Sequence, residues 1–265
     1  MKLAAPLVSA TFLRRLSRFS ALADVQGHQE AVHVANSGRL RELLEPGRRV
    51  FLKAVPPRSS RRTVYDLALV DLGRTLVSAD ARLPPSLVHE ALGSAQLPQF
   101  AGYDAILREQ RFAGSRLDLV LEYPGQRCYV EVKSVTLVEG GVGLFPDAPT
   151  LRGQRHLEAL AHAVAQGYRA AVVFVVQRED ATAFAAHEAA DPVFAGTLRR
   201  VHASGVEVYA YRCRVTMDEV TLRAELPVLW DRSVPMPVAA PSGEAALPHE
   251  PGGTLAHRAL GMPEG

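Results

Sequence analysis

Residues 116–134 read RLDLVLEYPGQRCYVEVKS, two runs in which apolar and polar positions alternate on either side of a Pro-Gly pair. Residues 117–122 alternate around Leu119 and Leu121, and residues 127–133 around Cys128, Val130 and Val132. Period two in β-forming residues predicts two strands, and Pro124-Gly125 predicts the turn that pairs them. With residues 123–126 as the loop, Glu122 meets Arg127, Val120 meets Tyr129 and Asp118 meets Glu131; a three-residue loop would shift the register by one and separate the acids. Glu131 and Lys133 share one face because side chains alternate along a strand.

The same reading places short strands at 22–25, 30–34, 50–55 and 64–70, with turns at Gln26-Gly27-His28, Asn36-Ser37-Gly38 and Pro46-Gly47 and a single helical turn at 39–44. Short strands at close spacing predict a small β-barrel. Pro84-Pro85 opens a helix at 86–92, ended by Gly93, so a domain boundary is expected near residue 82. Beyond the hairpin comes a glycine-rich connection at 140–143. Thr150 then caps a helix running to Gln166, with Leu157, Leu160, Ala161 and Val164 as its apolar stripe and Gly167 as its stop. A strand at 170–177, a helix at 192–203 and a strand at 206–212 complete an α/β pattern. The fold class is therefore mixed α/β: a barrel domain at 1–82, an α/β domain at 83–228, and a disordered tail at 229–265, where Pro, Gly and Ala dominate without periodicity.

The hairpin raises a chemical question. Directly opposed carboxylates repel, and a divalent cation between Asp118 and Glu131 reverses that sign. Hard cations such as Mg²⁺ choose carboxylate oxygens, with water and phosphate completing the shell. Lys133 lies on the same face, placed to stabilise charge on a reacting phosphate. The chain has 27 Arg and three Lys, Lys2, Lys53 and Lys133. A lysine kept in that background suggests a place where a compact ammonium serves and a planar fork does not. The alternative is an ordinary ion pair, with Lys133 snorkelling beside Glu131.

Composition narrows the class without deciding it. Apolar residues make up 48% of 265, enough for a packed core, and the net charge is +2. Residues 1–80 hold thirteen Lys/Arg against seven Asp/Glu, a bias suited to a polyanion. Two cysteines without metal-ligand spacing fit a reduced compartment. No apolar run is long enough for a membrane span, and the opening MKLAAPLVSATFL is too short and interrupted for a secretory leader. A cytoplasmic location is expected, with association with the nucleoid as one form of it.

Further candidates are positional. Asn36-Ser37-Gly38-Arg39 offers backbone N–H groups and a guanidinium to a phosphate, or is a plain turn. Arg58, Arg61 and Arg62 form a basic cluster that serves DNA or only solvation. Arg152 and His156, one helical turn apart, share a face.

Several stretches resemble the sugar fermentation stimulation protein A (SfsA) family: HVANSGRLRELLEPG at 33–47, RRTVYDLALV at 61–70, LPPSLVHEAL at 83–92, SRLDLVL at 115–121, YVEVKSVTL at 129–137 and FPDAPTLRGQRHLEAL at 145–160. The resemblance implies an OB-like barrel followed by a PD-(D/E)XK nuclease-like domain, and DNA as partner. It implies that Asp118, Glu131 and Lys133 match the D…E-x-K pattern, with Mg²⁺ or Mn²⁺ at Asp118 and Glu131. Glu90 is similar to an extra acid many such nucleases carry, and Arg152 and His156 would hold a phosphate beside the carboxylates. Asn36, Arg39, Arg61 and Arg62 are the accompanying DNA-binding candidates, and a homodimer is a further expectation. Pro85 departs from the family pattern, which has an amide there. Two functions compete, a metal-dependent phosphodiesterase acting on DNA and a regulator of sugar metabolism that binds DNA without cutting it; a domain that binds a small molecule or protein is a third.

Overall fold

Five strands close the barrel: β1 (Val8–Ser17), β2 (Ser20–Val25), β3 (His28–His33), β4 (Arg49–Ala54) and β5 (Tyr65–Asp71). β1 pairs antiparallel with β2 and β4, β2 with β3, and β4 with β5. A parallel contact of β3 with β5, Val32 beside Tyr65 and His33 beside Asp66, completes the ring. Inward positions carry Phe12, Val32, Leu52, Leu67 and Val70, and Leu40 and Leu43 plug the interior from the connection between β3 and β4. That connection holds one helical turn, with the N–H groups of Leu43 and Leu44 both reaching Leu40 O. β1 departs from the pattern reading, which has no strand before residue 22. Its period is hidden by register shifts at Phe12/Arg14 and Arg15/Ser17, where bulges break the alternation. β6 (Leu76–Ser78) extends the sheet beyond β5.

This architecture comes from a computed structural model, which describes residues 1–3, 6–56 and 63–231. Arg58, Arg61 and Arg62 lie outside the described residues, as does nearly all of the expected tail. Met1–Arg232 forms one compact unit.

The larger sheet follows α1 (Leu83–Gly93) and a 3-10 turn at Pro98–Phe100. Its elements are β7 (Ala105–Phe112), β8 (Ser115–Tyr123), β9 (Gln126–Val135), β12 (Arg169–Val176), β14 (Glu207–Val215) and β15 (Val220–Glu225), in the order β15-β14-β12-β9-β8-β7. β12 runs parallel to both β9 and β14; the outer pairs are antiparallel. A second, four-stranded sheet joins β10 (Leu137–Glu139), β11 (Val142–Phe145), β13 (Ala183–Ala186) and β16 (Val228–Leu229). The glycines expected as a connection turn the β10–β11 hairpin instead, with Gly140 and Gly141 at φ 56° and 79°. Helices α2 (Leu151–Ala165) and α3 (Pro192–Ala203) cover one face of the larger sheet and α1 covers the other. Of the residues expected in the tail, Leu229 is in β16, and Trp230 stacks on His202 with ring centres 4.4 Å apart.

Buried polar bonds tie the barrel sheet to the larger one. Ser78 of β6 donates from its N–H to Gln177 O and from its hydroxyl to Gln177 Oε1, both at 3.0 Å. The Gln177 amide in turn donates to Ser134 Oγ on β9 at 2.9 Å. Each bond satisfies a polar group that water cannot reach, so the two sheets keep a fixed relation.

Candidate active site

The hairpin register is the one expected from its turn. Tyr123 pairs with Gln126 around a two-residue Pro124-Gly125 turn, with Gly125 at φ 74°, and the ladder continues through Glu122–Arg127, Val120–Tyr129 and Leu119–Val130. There it stops. At Asp118 the side chain takes over from the backbone, Oδ2 accepting the Val132 N–H at 2.8 Å. On β9, Val130 and Val132 pack toward α1, so Glu131 and Lys133 emerge on the α2 side.

Glu131 is 2% exposed and Lys133 9%. Lys133 Nζ donates to Glu131 Oε1 at 2.6 Å. His156, reaching over from the second turn of α2, also bonds Glu131 Oε1 through Nδ1. Arg152 donates from Nε to His156 Nε2 at 3.3 Å. Nε2 accepts from Arg152, while Nδ1 faces both Glu131 Oε1 and, at 3.3 Å, Lys133 Nζ. Glu131 Oε2, by contrast, is buried without a partner. A carboxylate oxygen left dry and unbonded costs free energy unless something cationic reaches it.

Electrostatics distinguish the two acids. Burial pushes the Asp118 carboxyl up to about 6, and repulsion from Glu131 adds to it, against the Val132 N–H, Lys133 and His156. Burial also acts to raise Glu131, but Lys133 and His156 outweigh it and hold that carboxyl below its ordinary value. Asp118 is therefore the acid whose charge lacks compensation. The pair suits a hard divalent cation, Glu131 Oε2 and Asp118 supplying anionic oxygens. Among the described residues no three His, Cys, Asp or Glu side chains form a self-sufficient metal cage. Water and substrate would complete the shell.

α2 begins beside this pair because Thr150 caps it, its side chain accepting the Gly153 N–H at 3.0 Å. Asp191 accepts the Thr150 N–H at 2.8 Å and caps α3 through the Phe194 N–H at 2.9 Å, so one buried carboxylate sets both helix starts. A cleft of about 620 Å³ opens over the carboxylates. Its lining includes Asp118, Glu131, Lys133, Arg152 and His156, with Asn36, Pro85 and Asp147. Pro85 brings an apolar ring to the cleft.

Three expected site residues act differently. Glu90 does not reach the carboxylates. It is on α1, against the opposite face of the sheet, and its exposed side chain pairs with the Met1 ammonium at 3.1 Å. Asn36 lines the cleft but is spent on structure, accepting the Gly38 N–H at 2.9 Å and donating to Ala79 O at 3.3 Å. Arg39 is exposed outside the cleft lining. Around the 36–39 loop, Asp147 Oδ2 takes the Leu40 N–H at 3.1 Å and Arg15 gathers the carbonyls of Asn36, Gly38 and Arg39. Arg15 and Asp147 were not singled out from sequence. Arg15 belongs to the unrecognised β1, while Asp147 carried a signal, standing in FPDAPT among the family-like stretches.

Comparison with known proteins agrees with this architecture. The SfsA N-terminal OB domain matches residues 13–79, and the sugar fermentation stimulation protein RE domain matches residues 82–219. The chain belongs to the SfsA family. The Sugar fermentation stimulation protein homolog of Moorella thermoacetica is 47% identical over 230 residues, covering 86% of this chain and 98% of that one. The homolog from Symbiobacterium thermophilum is 46% identical over 247 residues, with the same shares of the two chains. A solved SfsA of Pyrococcus furiosus, described as in complex with Ca²⁺, superposes with a TM-score of 0.79 at 32% identity, covering 86% of this chain and 98% of that chain. The fold is accordingly that of the SfsA family, an N-terminal OB barrel joined to an α/β RE domain.

Proposed function

We propose that this SfsA family member binds DNA and that its second domain, residues 83–228, is a divalent-metal-dependent phosphodiesterase. The observation that carries the reading is Glu131 Oε2, buried and unpartnered beside an Asp118 whose carboxyl burial and repulsion hold near 6. The Ca²⁺ bound by the Pyrococcus furiosus relative supports a cation in this family. Asp118 and Glu131 would hold Mg²⁺ or Mn²⁺, which when bound supplies Lewis-acid activation of a phosphate ester.

The other roles belong to the chain itself. Lys133, anchored on Glu131, sets a positive charge at the cleft floor, where the transition state of phosphoryl transfer gathers negative charge. His156 keeps Glu131 oriented through its Nδ1 contact with Oε1. Arg152, exposed at the cleft wall and held by its Nε bond to His156, offers its remaining donors to a phosphate. The barrel, residues 1–82, would grip the backbone of the nucleic acid.

A second reading has its own support. Lys133 Nζ stands 2.6 Å from Glu131 Oε1, so the ammonium is already used to balance that carboxylate. A site in that state suits a regulator that binds DNA without cutting. Incubation of purified protein with plasmid and single-stranded DNA, in Mg²⁺, Mn²⁺ or EDTA, separates the two. Metal-dependent nicking or degradation, absent in Asp118→Asn, is the expected result. Binding without product in either metal would establish the regulator.

A further inference from the structure

The cleft is also lined by an aromatic ring with no part in the chemistry proposed for the carboxylates. Phe19 lies in the β1–β2 turn, lines the cleft that holds Asp118 and Glu131, and is 48% exposed. Isolated exposed apolar side chains are common and by themselves mean nothing. Two observations separate Phe19 from that background. It lines the same cleft as the carboxylates, beside the exposed Arg18. Its backbone is also fixed on both sides: Phe19 O accepts the Val34 N–H at 2.9 Å, and Arg15 bonds Arg18 O together with the carbonyls of the 36–39 loop.

We propose that Phe19 is a stacking platform for an unpaired nucleobase, so that the cleft takes single-stranded or frayed DNA in preference to an intact duplex. This deepens the nucleic-acid reading above and rests on it. A planar, half-exposed apolar ring on an anchored backbone has its largest gain in covering a π-face, and every base has one. A duplex hides those faces in its own stack and presents phosphates, which an uncharged ring cannot recognise; a base must leave the stack to meet Phe19. The opening of about 620 Å³ is in the range, roughly 300–1,000 Å³, of sites that enclose one small-molecule-sized group. Arg18 and Arg152 flank the ring and the carboxylates with guanidinium groups for the phosphates of the same strand. Rigid backbone at the turn keeps the ordering cost of the platform low.

The test is fluorescence anisotropy in EDTA, with wild type, Phe19→Ala and Phe19→Trp against a labelled single strand, the blunt duplex of the same sequence, and the single strand carrying abasic residues. Phe19→Ala is expected to weaken single-strand binding by about five- to 150-fold. The slope of log K against log salt should stay the same, because no charge is lost. Phe19→Trp should retain the affinity, duplex binding should not change, and abasic residues should weaken wild type but not Phe19→Ala. Equal single-strand affinity for wild type and Phe19→Ala, or equal losses on single strand and duplex, would overturn the platform while leaving DNA binding intact. Wild type that binds neither DNA would overturn the nucleic-acid reading, and the platform with it. Matched melting curves for the variants show that the turn remains folded.

Discussion

Replacing Asp118 with Asn removes a charge and leaves an oxygen in place for the Val132 N–H. The folded protein holds the Asp118 carboxyl near 6, against an ordinary 3.8, through burial first and Glu131 second. Between those two values the folded chain keeps a proton that the unfolded chain has released. Stability therefore falls as pH rises through this window, and the full penalty is present above about pH 6. A difference of about two pK units corresponds to about 3 kcal/mol. Asp118→Asn escapes that penalty, so in EDTA at pH 8 it should exceed wild type by about 2–3 kcal/mol, seen as a melting point about 4–12 °C higher. Near pH 4 most of the gain should vanish. Millimolar Mn²⁺ should reverse the ranking at pH 8, because a ligand that binds only the folded state stabilises wild type alone. Thermal unfolding followed by far-UV circular dichroism at both pH values supplies the numbers. A variant no more stable than wild type at pH 8 in EDTA, or equally favoured at both pH values, would refute the electrostatic reasoning.

Other substitutions test separate parts of the site. Gly38→Ala places a Cβ 2.5 Å from Asp147 Oδ2, so the Asp147–Leu40 bond should break and stability drop by about 1–3 kcal/mol in urea unfolding; an unchanged midpoint would show that the contact gives way freely. Glu90→Gln should leave metal affinity and any cleavage rate at wild-type values and cost well under about 1 kcal/mol, as for a surface ion pair. A loss of metal affinity would return Glu90 to the site. Lys133→Ala should lower single-turnover cleavage by about a hundredfold to a thousandfold while affecting DNA affinity far less. Equal cleavage by wild type and variant would remove Lys133 from the chemistry.

Legibility from sequence followed how locally each feature is encoded. The β8–β9 register is set by a two-residue turn and by alternation, both written in consecutive residues, so the approach of Asp118 to Glu131 could be read directly. The start of α2 was equally plain, since Thr150 caps it and the helix period brings Arg152 onto the face of His156. Features made by tertiary contact were not readable in this way. Glu90 sits on a helix that was expected at 86–92 and runs Leu83–Gly93, but only packing reveals that α1 covers the far face of the sheet. The 36–39 loop has phosphate-binding composition, but its ties to Arg15 and, through the neighbouring Leu40 N–H, to Asp147 are made by residues distant in sequence. β1 was obscured by its bulges, and Phe19 by the loss of the strand that presents it.

The central claim is that Asp118 and Glu131 together hold a divalent cation. Isothermal titration of Mn²⁺ into metal-free wild type, Asp118→Asn and Glu131→Gln tests it without depending on DNA or turnover. Asp118→Asn serves as the folded control, because it leaves the Glu131–Lys133 pair intact. The account predicts saturable binding to wild type that is abolished in both variants while Asp118→Asn still melts cooperatively. Wild type that shows no saturable heat, or Asp118→Asn that binds Mn²⁺ as wild type does, would contradict it.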